Sequence, residues 1–256
     1  MVFAQRRDLV PAEPENLDVK IFRVINNSQC GFLNTVIPIT DKSVLFTSTL
    51  VSTVMFGISR SNKSYYDENS SVLMGLSEVM TTGVVFGVKN LVNRKRPFES
   101  LKEVNYDNSK FLLDRYSFPS GHTAMAFSMA TSLTLRYPDK PLLISGMYLY
   151  SSIIALGRIY LGVHYPTDVL AGMLIGSGSA AIIYSLRKEI IKGKNSLFRE
   201  SGREDANSEN ISTGMILTSF IISDAINYLL GKIKMGGRIS FDIRGNESRA
   251  NINYSF

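Results

Sequence analysis

The sequence has little of several residue types that metal and redox sites need. It contains one cysteine, two histidines and no tryptophan among 256 residues. A single cysteine excludes an intramolecular disulfide framework and cysteine-based metal clusters, and two histidines are too few for a polyhistidine site. We therefore expect neither a metal nor another cofactor.

Motifs for nucleotide and nucleic-acid binding are also missing. There is no glycine-rich phosphate loop and no dinucleotide-binding fingerprint. The net charge of +6 favours an anionic partner, either nucleic acid, a membrane surface or a phosphorylated substrate. Since the basic residues do not alternate with aromatic ones as in a nucleic-acid stripe, we expect no nucleic-acid partner.

Six apolar blocks are the main feature that the sequence does contain. Each is near the length that crosses a bilayer, and polar connections separate them. They lie at 42–60, 69–88, 115–136, 140–158, 168–187 and 210–231. The blocks predict an all-α bundle of about six helices, which we expect to be transmembrane. Because serine, threonine and glycine are frequent in the blocks, a soluble helical bundle is the alternative.

The two ends of the chain differ from this bundle. Residues 1–42 predict a lead-in with a short amphipathic helix near Val19–Ile25, residues 43–231 the helical domain, and residues 232–256 a tail. In the tail, apolar and polar residues alternate on both sides of a Gly-Asn pair, which is typical of a short β-hairpin. The alternating apolar residues are Ile239, Phe241, Ile243, Ile252, Tyr254 and Phe256. A frayed tail is the alternative.

Two stretches at block ends carry groups suited to phosphate. In the first, Lys89 and Arg96 are seven residues apart, so they share one helix face if the helix persists. In the second, Ser120 is a candidate N-cap, Gly121 allows close backbone approach and His122 follows. The N–H groups at a helix start favour an anion.

A third stretch joins the fourth and fifth blocks and contains Arg158, His164 and Asp168. Pro166 suits the first turn of a helix, which would place Asp168 within reach of His164. An up-and-down bundle would bring all three stretches to one end. Cations and a helix N-terminus there can hold a phosphoryl group while one imidazole attacks phosphorus and the other protonates the leaving oxygen.

Together the three stretches resemble the signature of the type-2 phosphatidic-acid phosphatase (PAP2) superfamily of lipid phosphatases, to which vanadium haloperoxidases are related. The signature reads Lys-x6-Arg-Pro, Pro-Ser-Gly-His and Ser-Arg-x5-His-x3-Asp. The matching positions are Lys89, Arg96, Pro97, Pro119, Ser120, Gly121, His122, Arg158, His164 and Asp168. Gly157 stands where the family usually has serine, so one side-chain contact is lost.

The resemblance implies a role for each matching side chain. His164 would be the nucleophile that forms a phosphohistidine, Asp168 would orient it, and His122 would be the acid for the leaving group and then the base for water. The implied phosphate-binding residues are Lys89, Arg96, Ser120, Gly121 and Arg158. The implied activity is metal-independent hydrolysis of a lipid phosphate monoester or diphosphate.

The implied substrate is a phospholipid, a polyprenyl phosphate or a lipid A phosphate, and the motifs do not distinguish these. The sequence does not indicate an oligomeric state either. Four other functions stay open: a soluble non-specific acid phosphatase, a vanadium-dependent haloperoxidase, a transferase that passes the phosphoryl group to another acceptor, and a non-catalytic binder of lipids or anions. The pair of histidines with Asp168 disfavours the binder, since binding alone needs no nucleophile and acid.

Charge asymmetry predicts an orientation. The loops opposite the motifs carry ten basic residues, whereas the motif-side loop at 93–115 carries five besides the catalytic ones. Because basic loops stay in the cytoplasm, we expect a bacterial cell-membrane protein whose site faces the periplasm, with a soluble periplasmic protein as the alternative. Residues 1–4 are interpreted as the end of a cleaved signal peptide.

Several further charged residues are weaker candidates, among them Asp224, which is as ambiguous as Glu78 but has no motif nearby. Glu78 lies eleven residues before Lys89, so both should face one side of a helix, either towards the interior or on the surface of a soluble helix. Arg94, Lys95 and Arg115 are interpreted as a solvated charge run, with attraction of an anionic lipid head group as the alternative.

Overall fold

The computed structural model describes residues 16–106, 115–201, 203, 205, 213–232, 238–242 and 249–253. Over these residues the chain forms nine helices and one two-stranded hairpin. In chain order the elements are α1 (Leu17–Asn27), α2 (Gly31–Ser61), α3 (Tyr65–Val92), α4 (Pro97–Ser100), α5 (Gly121–Arg136), α6 (Pro141–Tyr160), α7 (Pro166–Ser185), α8 (Arg187–Leu197), α9 (Thr213–Lys232), β1 (Arg238–Asp242) and β2 (Arg249–Asn253). The predicted all-α bundle is confirmed, because each of the six blocks forms a helix.

The C-terminal tail forms the predicted hairpin. Strands β1 and β2 pair antiparallel, with Ile239 opposite Ile252 and Phe241 opposite Ala250. The predicted strand residues Ile243, Tyr254 and Phe256 lie outside the described residues, as does the signal-peptide end predicted at residues 1–4.

Helix α5 is the centre of the bundle, in contact with α2, α3, α6 and α7. It crosses α7 at very short range because α7 has glycines at the crossing. A Cβ at Gly176 would lie 2.0 Å from the Ala124 carbonyl oxygen, and one at Gly172 would lie 2.6 Å from the Ser120 carbonyl oxygen. Small residues let helix backbones approach in this way. The close crossing brings the start of α5 to the start of α7, where the Ser120 N–H donates to the Asp168 backbone carbonyl at 3.0 Å.

Three segments are long and apolar enough to cross a membrane: Tyr65–Ser100, Pro141–Tyr160 and Pro166–Ser185. Their outward positions carry exposed large apolar side chains, including Phe86 on α3, Leu149 on α6 and Leu174 on α7. Such side chains suit contact with lipid. Helix α5 is not among these segments because it has 16 residues and is shorter than the three.

Ion pairs tie together the end of the bundle opposite the predicted motifs. Buried Glu68 accepts from the Lys194 ammonium at 2.8 Å and pairs with Arg60 at 3.2 Å. Arg136 at the end of α5 donates to both oxygens of Asp205, at 2.7 and 2.8 Å. The basic residues that the sequence assigns to this side therefore hold α2, α3, α5 and α8 to the segment after α8.

Helix α1 lies across the turn between α6 and α7. At its start, Asp18 accepts from the Thr167 N–H at 2.9 Å, and at its end the Asn26 side chain donates to the Tyr160 carbonyl at 2.9 Å. Its inner face packs Val19 and Phe22 onto apolar residues of α6 and α7. Since α6 ends and α7 begins at the motif end of the bundle, α1 runs along that end.

Candidate active site

The structure brings all the predicted site residues to one end of the bundle. Lys89 lies in the last turn of α3, Ser120 is the N-cap of α5, and Arg158 lies in the last turn of α6. His164 and Asp168 flank the start of α7. The buried members are Lys89, Arg96, Ser120, Arg158, His164 and Asp168, and the partly exposed ones are Gly121 and His122. The site therefore opens to its surroundings at the first turn of α5.

Helix α3 does not persist to Arg96, so the helix face that Lys89 and Arg96 would share if it did is not formed. Helix α3 ends at Val92, and Asn93 has a left-handed conformation with a φ of 53°. Arg96 lies in the segment between α3 and α4, and its guanidinium donates to the Val163 carbonyl at 3.0 Å. Lys89 donates to the Tyr116 carbonyl at 2.6 Å.

The contacts of His164 define which ring nitrogen carries its lone pair. The Arg96 guanidinium lies 3.4 Å from Nε2 of His164. A guanidinium only donates hydrogen bonds, so Nε2 is the acceptor and the proton lies on Nδ1. On that side are the Ser117 hydroxyl at 3.5 Å and the Asp168 carboxylate at 3.6 Å. These distances exceed ordinary hydrogen bonds, and such contacts in ligand-free sites commonly shorten when substrate binds.

Burial and neighbouring charges keep His164 neutral. The ring is buried, and the positive charges of Arg96, Arg158 and Lys89 lie nearby, so the pKa of His164 is held well below its usual range. Both causes act in one direction, because burial disfavours the charged form and nearby cations repel it. A neutral ring retains the lone pair that a nucleophile needs.

Both oxygens of Asp168 are occupied. Oδ2 accepts from the Ser117 hydroxyl and from the Tyr165 N–H at 2.7 Å, the latter closing a capping interaction at the start of α7. Oδ1 accepts from Arg94 at 2.7 Å. Pro166 begins α7 as predicted, and the first turn of this helix places Asp168 beside His164.

The start of α5 contributes Ser120 and the first N–H groups of the helix to the site. Ser120 is the N-cap as predicted, but its hydroxyl contacts the Thr123 hydroxyl at 2.9 Å and makes no capping bond to the backbone. The first N–H groups of a helix have no acceptor within the helix, so those of Gly121 and His122 can bind an anion. His122 is close enough to His164 for its charge to contribute to the lowered pKa of His164.

A serine side chain at position 157 would clash with α2. A Cβ at this position would lie 2.9 Å from Cγ2 of Ile37 on α2. That distance is shorter than carbon–carbon contacts in proteins allow, so Ile37 fills the space that a side chain at 157 would need.

Sequence reasoning missed three contributors to this site. Ser117 contacts both His164 and Asp168, and its place three residues before Ser120 gives no helical spacing to point to it. Arg94 is not part of a solvated run, because it pairs with Asp168 at 2.7 Å and with Asp18 at 2.6 Å. Asp18 lies 76 positions before Arg94, so local spacing carries no signal for their contact.

The structure also decides between the interior and the surface for Glu78. It is buried, on the same face of α3 as Lys89, so the surface alternative is wrong. It lies three helical turns below Lys89 and takes no part in the contacts around His164 described above.

Comparison with known proteins finds a family model and relatives that the chain matches. The family model for the PAP2 superfamily matches residues 70–192, which include every predicted site residue. An undecaprenyl-diphosphatase from Sulfolobus acidocaldarius is 29% identical over 169 residues, covering 62% of this chain and 73% of that protein.

Two solved structures have the same fold. LpxE from Aquifex aeolicus superposes with a TM-score of 0.55 and 29% identity, covering 68% of this chain and 98% of that one. A transmembrane PAP2-type phosphatidylglycerolphosphate phosphatase from Bacillus subtilis superposes with a TM-score of 0.52 and 23% identity, covering 68% of this chain and 85% of that one. Over residues 70–192 the chain matches the PAP2 superfamily, and it is a phosphoric ester hydrolase with the fold of PAP2 membrane phosphatases.

Proposed function

We propose that the protein hydrolyses a lipid phosphate monoester or diphosphate through a phosphohistidine on His164. One observation carries the proposal: a neutral, buried imidazole presents its Nε2 lone pair among cations, at 3.4 Å from Arg96. A phosphoryl group bound by these cations would accept the Arg96 N–H that points to Nε2, and would lie next to the lone pair that this frees. Arg96, Lys89 and Arg158 would neutralise the charge that develops on its oxygens.

The first half of the reaction would transfer the phosphoryl group to the enzyme. Nε2 of His164 forms a bond to phosphorus, the bond from phosphorus to the leaving oxygen breaks, and His122 protonates that oxygen. Asp168 stabilises the positive ring through Nδ1. His122 suits this role because it is the partly exposed imidazole, on the side where the alcohol or phosphate product departs.

The second half would return the enzyme to its starting state. His122, now neutral, accepts a proton from water while the water oxygen attacks phosphorus. The bond between phosphorus and Nε2 then breaks, which releases inorganic phosphate and a neutral His164. No step requires a metal ion, since the proton transfers use imidazole and the charges are met by side chains and N–H groups.

A lipid substrate fits the position of the site. The site lies at the end of a bundle with three candidate membrane spans, and its opening at the start of α5 is beside α3, which carries exposed Phe86 and Leu91. An acyl or prenyl chain in the bilayer could reach the opening along that surface. The named relative that acts on undecaprenyl diphosphate supports a prenyl diphosphate as one substrate to test.

We further propose that the site faces the outside of the cell membrane, because the basic loops lie at the opposite end. The single cysteine offers a direct test: Cys30 is exposed and its N–H donates to the Tyr160 hydroxyl at 3.0 Å, at the motif end. An impermeant maleimide should label Cys30 in intact cells. The double variant Cys30→Ser/Lys188→Cys should be labelled only after lysis. Labelling of Lys188→Cys in intact cells, with Cys30 labelled only after lysis, would contradict this orientation.

The activity is tested by phosphate release in detergent with EDTA present. Substrates are undecaprenyl diphosphate, phosphatidic acid, phosphatidylglycerophosphate, a lipid A phosphate and p-nitrophenyl phosphate, with His164→Ala beside the wild type and Lys95→Gln as an exposed control. We expect release from at least one lipid, lost in His164→Ala and kept in Lys95→Gln. Release from the soluble ester alone would instead indicate a non-specific acid phosphatase, and loss of activity in EDTA would contradict metal independence.

A further inference from the structure

Arg94 bridges two carboxylates on different elements. Its guanidinium donates to Oδ1 of Asp168 at 2.7 Å and to Oδ2 of Asp18 at 2.6 Å. It also donates to the Thr167 hydroxyl at 2.7 Å and lies 3.9 Å from the centre of the Tyr165 ring. These contacts fix the guanidinium in one place although 28% of its side chain is exposed.

The bridge decides which oxygen of Asp168 faces His164. Arg94 holds Oδ1, while the Ser117 hydroxyl and the Tyr165 N–H hold Oδ2. Oδ2 is the oxygen that lies 3.6 Å from Nδ1 of His164. Without Arg94 the carboxylate could rotate about its terminal bond, since one of its oxygens would have lost its charged donor.

Asp18 holds Arg94 in turn. Oδ1 of Asp18 accepts from the Thr167 N–H at 2.9 Å, and Oδ2 accepts from the Thr167 hydroxyl at 2.7 Å as well as from Arg94. This places the carboxylate at the start of α7, where the helix dipole favours a negative charge. Helix α1 thereby reaches the carboxylate beside His164 through one intermediate side chain.

We propose that Arg94 and Asp18 are positioning residues for the proposed phosphoryl transfer, and that α1 is part of the active site through them. Asp18 orients Arg94, Arg94 orients Asp168, and Asp168 orients His164. The inference rests on the proposed function, since an oriented Nδ1 matters only if Nε2 attacks phosphorus.

The test compares steady-state rates of Arg94→Ala, Asp18→Asn and the neighbouring control Lys95→Gln. Mutating a residue that orients a reacting side chain without touching the substrate typically lowers activity by about 10–100-fold. We therefore expect Arg94→Ala to lower kcat by that factor and to leave KM nearly unchanged. Asp18→Asn keeps the shape of the side chain and should lose about 3–10-fold, at the lower end of such effects. Lys95→Gln should match the wild type.

Chemical rescue separates positioning from a merely structural role. Because Arg94 is partly exposed, added guanidinium should restore part of the kcat of Arg94→Ala and none of that of Asp18→Asn. Normal kcat in Arg94→Ala, or a loss that guanidinium does not restore, would overturn the proposal. If Arg94→Ala fails to fold, Asp18→Asn decides: a wild-type kcat overturns the proposal and the expected loss supports it. Activity in His164→Ala would instead overturn the proposed function.

A separate observation concerns the outer face of α1. Leu17, Ile21 and Val24 form one stripe along the helix, and Leu17 and Val24 are 71% and 74% exposed. The opposite face is the one that packs on α6 and α7 through Val19 and Phe22.

The geometry points to the bilayer surface as the partner of this stripe. Helix α1 covers Ala155 of α6 and Val169 of α7, and the next residues on those two helices, Leu156 and Leu170, are exposed apolar side chains in the candidate spans. The stripe is therefore continuous with the surface that lipid would cover. Exposed Lys20 flanks it, as suits an interfacial helix beside anionic head groups.

Because the chain has no tryptophan, one introduced tryptophan reports alone on this face. In nanodiscs, the fluorescence of Val24→Trp should be quenched most by lipids brominated near the head group. Leu174→Trp, on the outward face of α7, should be quenched most by lipids brominated deep in the chain, and Lys188→Trp by iodide in water. Quenching of Val24→Trp by iodide alone, or most strongly by deep bromines, would contradict an interfacial α1.

Discussion

Gly157 offers a quantitative test of how α2 packs on α6, through the substitution Gly157→Ser. The added Cβ would lie 2.9 Å from Cγ2 of Ile37, against about 3.5–4.0 Å for a favourable carbon–carbon contact. Forcing such an atom into a packed interface costs about 1–3 kcal/mol. Serine is a better helix former than glycine by roughly 0.5 kcal/mol, which offsets only part of that cost.

The matched control is Gly146→Ser on the same helix, where an added Cβ meets nothing within 4 Å. In detergent, Gly157→Ser should lower the Tm by roughly 2–12 °C relative to Gly146→Ser, at about 2–4 °C per kcal/mol. In an Ile37→Ala background the two serine variants should have the same effect, because Ile37→Ala removes the clashing methyl. Equal Tm values for the two single variants would refute the reasoning.

Three further predictions follow from single contacts. Gly176→Ala should lower the Tm far more than Gly178→Ala, because a Cβ at 176 meets the Ala124 carbonyl at 2.0 Å and one at 178 meets nothing within 4 Å; equal values would contradict the close α5–α7 crossing. Ser117→Ala should lower kcat about tenfold with KM unchanged, since it removes one charge-assisted hydrogen bond of about 1.5 kcal/mol from Asp168. An unchanged kcat would show that Ser117 does not contribute to the reaction. Partial burial raises the pKa of Asp205, but the hydrogen bonds and charge of Arg136 outweigh it and lower the pKa overall, so stability gained from this pair is present above the unfolded value of about 3.9 and is lost as the pH falls through the folded one. Asp205→Asn should therefore lower the Tm at pH 7, and its difference from the wild type should shrink as the pH falls below about 3.9 and vanish below the folded pKa of Asp205. A Tm difference that did not shrink over this range would contradict the charge argument.

The sequence was informative where function depends on positions at block ends. In an up-and-down bundle, residues at the end of one block and the start of the next share one end, so the gathering of Lys89, Ser120, Arg158 and His164 could be predicted from the order of the blocks alone. The start of α7 could be predicted as well, because Pro166 restricts the backbone to a conformation that suits a first helical turn.

The parts that could not be predicted depend on long-range contacts. In the sequence, Arg94 is one of several neighbouring basic residues. In the structure it contacts Asp18 and Asp168, and the contact with Asp18 depends on where α1 packs. The break after Val92 depends on the left-handed Asn93, whereas helical spacing alone assumes that α3 continues to Arg96. The central position of α5 follows from small residues on two helices meeting, which neither helix reveals alone.

Trapping the phosphorylated enzyme tests the central claim most directly. p-Nitrophenyl phosphate has a leaving group that needs little protonation, so His122→Ala should still be phosphorylated by it while the second step, which needs a base for water, is slowed. After rapid quenching at alkaline pH, mass spectrometry should find the phosphoryl group on His164, and none in a His122→Ala/His164→Ala double variant. Phosphorylation at another residue, or substrate turnover by His164→Ala, would contradict nucleophilic attack by His164.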